Sequence, residues 1–102
     1  MLKHTDGAAD RRALFEAVLG MRRVEDCAAF FADLCTPAEL EALSGRWKVA
    51  RLLEQGLPYR EISEKTGIST ATVTRVARCL TYGRDGGYRR ALDARKGGTR
   101  GR

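Results

Sequence analysis

Tyr59–Leu80, YREISEKTGISTATVTRVARCL, is the stretch that decides the fold. Apolar residues fall at Tyr59 and Ile62, then at Ile68, Val73, Val76, Ala77 and Leu80, and most of the side chains between them are polar or charged. That spacing predicts two short amphipathic helices joined across Gly67. Thr66 is β-branched and poor inside a helix, Gly67 accepts the positive φ that ends one, and Ser69 or Thr70 offers a hydroxyl to cap the next. The result is a helix-turn-helix over residues 59–80. In its second helix Val73, Val76 and Leu80 turn inward, leaving Thr70, Ala71, Thr72, Thr74, Arg75 and Arg78 around a face that is small at its start and basic further on. Such a helix suits a DNA major groove, where hydroxyls, a methyl group and guanidinium ions meet base edges or phosphates. An ordinary packed helical hairpin would share the glycine turn, and it is the positive charge that favours double-stranded DNA as partner.

That charge belongs to the whole chain: 19 Lys and Arg stand against 13 Asp and Glu in 102 residues, a formal +6. The excess favours a polyanionic partner, although charge alone does not separate nucleic acid from an acidic membrane surface. The length predicts one domain with a limited core, so a second copy is an expected source of further burial. No apolar run approaches the roughly 20 residues of a membrane span, and the N-terminus lacks a secretory apolar core. Cytoplasmic residence with no membrane partner is the expectation. Cys27, Cys35 and Cys79 sit in no CxxC spacing and His4 is the sole histidine, so neither a metal centre nor a disulfide framework is expected. Cys27 and Cys79 read as small buried helix residues. Without a histidine in a plausible site, paired carboxylates or a phosphate-cradling loop, the chain does not read as an enzyme, and no cofactor is expected.

Outward from the motif, residues 1–9 show no periodic signal and read as a flexible N-terminus, and the helical domain is expected over 10–95. Asp10 is a plausible N-cap for a first helix in which Leu14, Phe15, Val18 and Leu19 form an apolar stripe and Gly20 ends it. A second helix is expected from about Glu25 to Leu34, with Cys27, Phe30, Phe31 and Leu34 on its buried side. Thr36-Pro37-Ala38-Glu39 is the clearest start in the sequence: a capping hydroxyl, proline at the first helical position, and a glutamate three residues after the cap. The helix it opens runs to about Gln55, with Leu40, Leu43, Trp47, Ala50 and Leu53 or Glu54 spaced along one face. Gly56 ends it, and Pro58 restarts the chain. Glu61 and Lys65 have the i,i+4 spacing of a surface pair. Past Leu80, Gly83, Gly86 and Gly87 interrupt the helix, a short last helix is expected from Tyr88 to about Ala94, and 96–102 reads as a flexible basic tail. From Gly83 onward there are seven Lys or Arg and two acidic residues, which suits either phosphate contact or simple solubility.

Over Cys35 to Leu92 the sequence resembles the Trp repressor superfamily, and within it the TrpR-related YerC/YecD group. The resemblance is carried by CTPAELEAL with Gly45 and Arg46 after it, by YREISEKTG, and above all by TATVTR from Thr70 to Arg75. It implies an all-α fold of about six helices that forms an intertwined homodimer, with the two recognition helices in successive major grooves of an approximately palindromic operator. Half-sites would then lie roughly 34 Å apart. On this reading Ser69, Thr70, Ala71, Thr72 and Thr74 read bases, Arg60 contacts phosphate, and Arg75 and Arg78 contact phosphate or pack against a neighbouring helix.

The resemblance also implies a ligand pocket. In the repressor one arginine clamps the carboxylate of tryptophan, another stacks on the indole and a threonine carbonyl helps hold the amine; Arg46, Arg75 and Thr36 match those places. Val76, however, stands where the repressor has glycine, and overpacking by a β-branched side chain typically costs about 1–3 kcal/mol. Trp47 also departs from an aliphatic counterpart and reads as core or as a wall of the pocket. Tryptophan is therefore not the expected ligand. Arg46 and Arg75 leave a site for an unknown small anionic effector as the other reading. The rival to a DNA-binding regulator is a helical protein–protein interaction module that keeps the helix-turn-helix only as scaffold.

Overall fold

Six helices follow one another along the chain without a strand among the described residues: α1 (Gly7–Leu19), α2 (Val24–Leu34), α3 (Pro37–Glu54), α4 (Tyr59–Thr66), α5 (Thr70–Tyr82) and α6 (Gly87–Arg100). The computed structural model describes residues 6–100, with side chains to Lys96. The remainder of the two ends expected to be flexible, 1–5 and 101–102, lies outside the described residues. The contacts divide the chain into two units, Met1–Leu40 and Glu41–Arg102, with the boundary inside α3.

The first unit holds α1 and α2. Asp6, not Asp10, caps α1: its carboxylate accepts from the Ala9 amide at 3.1 Å. Both aspartates precede helix-favouring sequence, and the earlier one wins because Ala8 and Ala9 extend the helix without side-chain entropy cost. Phe30 and Phe31 meet edge to face, with ring centres 5.8 Å apart. No residue of either helix is fully buried within one chain, while Leu14, Val18, Cys27, Phe30 and Phe31 of the expected inward stripes are half-buried. Phe15 is 61 %, Leu19 84 % and Val24 82 % exposed. Leu14, Phe15, Val18, Leu19 and Phe31 line an apolar groove of about 490 Å³.

α3 begins as its sequence dictates. The Thr36 hydroxyl accepts from the Glu39 amide at 3.1 Å, while the Glu39 carboxylate accepts from the Thr36 amide at 2.8 Å. Two end donors are satisfied reciprocally. The helix closes on Gly56 at φ 88°, where the Gly56 amide donates to the Leu53 carbonyl and the Leu57 amide to Leu52. This paired closure leaves an apolar residue, Leu57, folded back against the core.

In the second unit Val49, Ala50, Ile62, Val73 and Val76 form the buried core, with Trp47, Leu52, Leu53, Leu57, Ile68 and Tyr88 packed around it. Val49 was not on the expected α3 stripe; the inward face is rotated towards it, and Leu43 is exposed. Tyr59, expected inward, is 47 % exposed, since it opens α4 and only Ile62 faces the core. Cys79, read as buried, is exposed, and Glu61 and Lys65 do not pair.

α6 starts at Gly87 and its backbone continues to Arg100, past the expected end at Ala94 and into the segment read as a tail. Leu92 is buried. Glu54, at the end of α3, takes Arg89 in two hydrogen bonds at 2.9 and 3.2 Å and Lys96 at 3.0 Å. The hydrogen bonds from Arg89 and then Lys96 lower the Glu54 carboxyl from its ordinary 4.5 to about 2. A carboxyl depressed by folding stabilises the fold above its unfolded value and loses that contribution as pH falls through its folded one. Acid titration should therefore leave the second unit's stability level above about pH 5 and erode it from about pH 4.5 towards 2. Glu54→Gln should flatten that part of the curve, as measured by denaturant midpoints at each pH. An unchanged curve would mean that Glu54 is not what ties α6 to α3.

Candidate nucleic-acid interface

The turn between α4 and α5 is held by side chains as well as by glycine. Gly67 lies in the left-handed region at φ 76°, and its amide donates to the Ser63 carbonyl at 2.9 Å. The Ser63 hydroxyl donates to the Ile68 carbonyl at 2.6 Å. The Thr66 hydroxyl donates to the Ile62 carbonyl at 2.7 Å and accepts from the Ile68 amide at 3.1 Å. Thr66 is thus less a helix breaker than a clasp: it satisfies the backbone groups that the turn would otherwise leave open.

Ser69 caps α5, accepting from the Thr72 amide at 3.2 Å, and the two hydroxyls lie 3.2 Å apart within hydrogen-bond reach. Below this start Val73, Val76 and Ala77 are buried, so the opposite side of the helix must face out. Ser69, Thr70, Ala71 and Thr74 are exposed there, and Thr72 is half-buried. Five residues proposed to read bases therefore fall into two kinds. Thr70, Ala71 and Thr74 have side chains free of internal duties, whereas Ser69 and Thr72 are engaged in shaping the helix start. Arg75 and Arg78 are exposed further along α5, and Arg60 is exposed on α4.

Within the second unit, the residues implied as a ligand pocket do not line one cavity together. Glu41, Ala42, Gly45, Arg46, Ile68 and Thr72 line a cleft of about 180 Å³ between α3 and the start of α5. Arg46 is therefore on it. Trp47 and Val76 belong to the core, Arg75 is exposed on α5, and none of the three lines the cleft. Thr36 lies in the first unit with its hydroxyl taken up by the Glu39 amide. The cleft is narrow because α3 approaches the turn at a glycine: a Cβ on Gly45 would stand 3.1 Å from the Ile68 side chain. Glu41, Ala42 and Ile68 gave no sign of this in the sequence, since only the fold brings them together. Among the described residues no group of three or more His, Cys, Asp or Glu could hold a metal ion. Nor is any described helix long and apolar enough to cross a membrane.

Comparison with known proteins agrees with the helical order and the turn. The family model described as Trp repressor protein matches residues 9–96. YerC of Bacillus subtilis (strain 168), an uncharacterized protein, is 49 % identical over 80 residues, which is 78 % of this chain and 76 % of YerC. The crystal structure of a TrpR-like protein from Eubacterium eligens superposes with a TM-score of 0.74 at 43 % identity, covering 81 % of this chain and 84 % of that one. A crystal structure from Staphylococcus aureus gives 0.77 at 41 % identity, over 90 % and 89 % of the two chains. With its capped α3, its glycine turn and its threonine-lined α5, the chain belongs to the Trp repressor family.

Proposed function

We propose that the protein is a sequence-specific regulator of transcription that binds double-stranded DNA as a homodimer through its helix-turn-helix. The observation that carries this reading is the outward face of α5: Thr70, Ala71 and Thr74 are exposed at the helix start while Val73, Val76 and Ala77 anchor its back in the core. A tip of two hydroxyls and a methyl group is short enough to meet base edges in a major groove, and Arg60, Arg75 and Arg78 supply phosphate contacts around it. Ser69 and Thr72 complete the base-reading set by holding the tip in shape.

The paired state is supported by the first unit. Two short helices with no buried residue and three large apolar side chains more than half exposed are poorly stable on their own in water. An exposed apolar groove of this kind marks an interaction surface. A second copy is the economical occupant, because two recognition helices related by a two-fold axis read a palindromic site and multiply a modest half-site preference.

Tryptophan is not the controlling ligand on this account. Val76 is packed in the core, and the cleft beside Arg46 holds about 180 Å³, below the roughly 300–1,000 Å³ usual for small-molecule pockets. Calorimetric titration of the protein with L-tryptophan should give no binding at micromolar concentrations, and a saturable heat in that range would contradict the pocket reading. A small anionic effector at Arg46 remains the alternative occupant of the cleft, testable in the same titration with small carboxylates.

The function itself is tested by duplex binding at several salt concentrations with the mass in solution measured alongside. A dimer whose affinity for random duplex falls steeply with salt is the expected outcome. A protein indifferent to DNA in dilute buffer would favour the protein–protein module instead.

A further inference from the structure

α5 carries more than a tip. Ala71, Arg75, Arg78 and Tyr82 follow one another at offsets of four, three and four residues, which places them in a single line along the helix. All four are exposed, and Tyr82 is 81 % exposed, an unusual state for an aromatic ring of a small helical protein. Neither guanidinium makes an ion pair or hydrogen bond within the described residues, and the Tyr82 hydroxyl has no partner there either. No acidic residue occurs between Glu64 and Asp85, so no carboxylate from α5 or its flanks competes for them. The line is roughly 16 Å long from Ala71 to Tyr82 at the rise of an α-helix. Phosphates succeed one another about every 3.4 Å of axis on each strand, so a helix lying against a groove wall passes several of them.

We propose that this line is a backbone-gripping edge, in which Arg75 and Arg78 pair with successive phosphates of one strand and the Tyr82 hydroxyl donates a hydrogen bond to a phosphate or sugar oxygen beyond them. Tyr82 is then a positioning residue for DNA, holding α5 along the groove wall so that Thr70 and Thr74 stay in register. The inference rests on the DNA-binding reading above and adds a contact at the far end of the recognition helix. Tyrosine suits that place because it has few rotatable bonds, presents a donor on a rigid ring and carries no charge to be screened.

The test compares Tyr82→Phe, Tyr82→Ala and Arg78→Ala with the parent protein on a selected site and on random duplex. Because Tyr82 is exposed, neither substitution at it should disturb folding, which a denaturation midpoint checks. Tyr82→Phe removes the hydroxyl alone and should weaken both DNAs by about fivefold to a hundredfold, in line with one lost hydrogen bond per subunit and so two in the pair, with the salt slope unchanged. Arg78→Ala should weaken both and lower the salt slope by about one per subunit. Parent-like binding by Tyr82→Phe and Tyr82→Ala, while a Thr74 variant loses its preferred site, would overturn the edge and leave the regulator reading standing. A shift of the Tyr82→Ala protein from dimer to monomer would overturn it too, by assigning the ring to the subunit contact. Failure of the parent protein to bind any duplex would remove both readings.

Discussion

Replacing Ile62 with alanine is expected to cost the second unit about 2–5 kcal/mol of stability, the range for truncating a fully buried aliphatic side chain. Ile62 is completely buried and is among the largest fully buried side chains of the core. It is also the sole buried residue of α4, so the cavity it leaves cannot be closed without moving α4 against α5. Domains of this size have total stabilities of roughly 5–15 kcal/mol, and the loss would be a large share of that. Denaturant unfolding of the variant should show a lower midpoint with an unchanged slope. A loss below about 1 kcal/mol would mean that the site repacks freely, which a core this small should not allow.

The second large effect concerns recognition. Thr70→Ala with Thr74→Ala removes two exposed hydroxyls per subunit, hence four in a symmetric pair. At about 0.5–1.5 kcal/mol each, the preference for the selected site over random duplex should shrink by roughly 2–6 kcal/mol. Since every 1.4 kcal/mol is a factor of ten, the specific affinity should fall by at least about 30-fold while random binding stays as it was. Arg60→Ala should behave in the opposite way, weakening all duplexes alike and lowering the salt slope. Competition binding against random DNA separates the two. Uniform losses in both variants would show that the threonines do not read bases. Thr72→Ala is a less clean probe, because its hydroxyl faces Ser69 and its amide is the one Ser69 caps.

The helix-turn-helix was legible because its signals are local. A glycine at φ 76°, a serine cap and apolar residues at helical spacing act within a few residues of one another, and the Thr36–Glu39 reciprocal cap is equally short in range. What escaped the sequence depends on residues far apart. Glu54 meets Arg89 across 35 positions, and nothing near either announces the pair. That clamp and buried Leu92 give α6 a footing on the rest of the unit, whereas the glycines near the chain end had suggested an earlier stop. What covers α1 and α2 is not legible for a different physical reason. An apolar stripe states that a surface prefers to be covered, without naming what covers it, and within one chain Phe15 and Leu19 remain open. For the same reason the ligand-pocket residues could be matched in order along the chain while Val76 turned into the core and Arg75 out of the cleft.

The most direct trial of the account is to let the purified protein choose among random duplexes and to sequence what it keeps. Retained fragments should share a two-fold-symmetric site with half-sites about one helical turn, roughly 34 Å, apart. Recovery of fragments with no common sequence, or of a single half-site without a mirror copy, would contradict a paired reader built on α5.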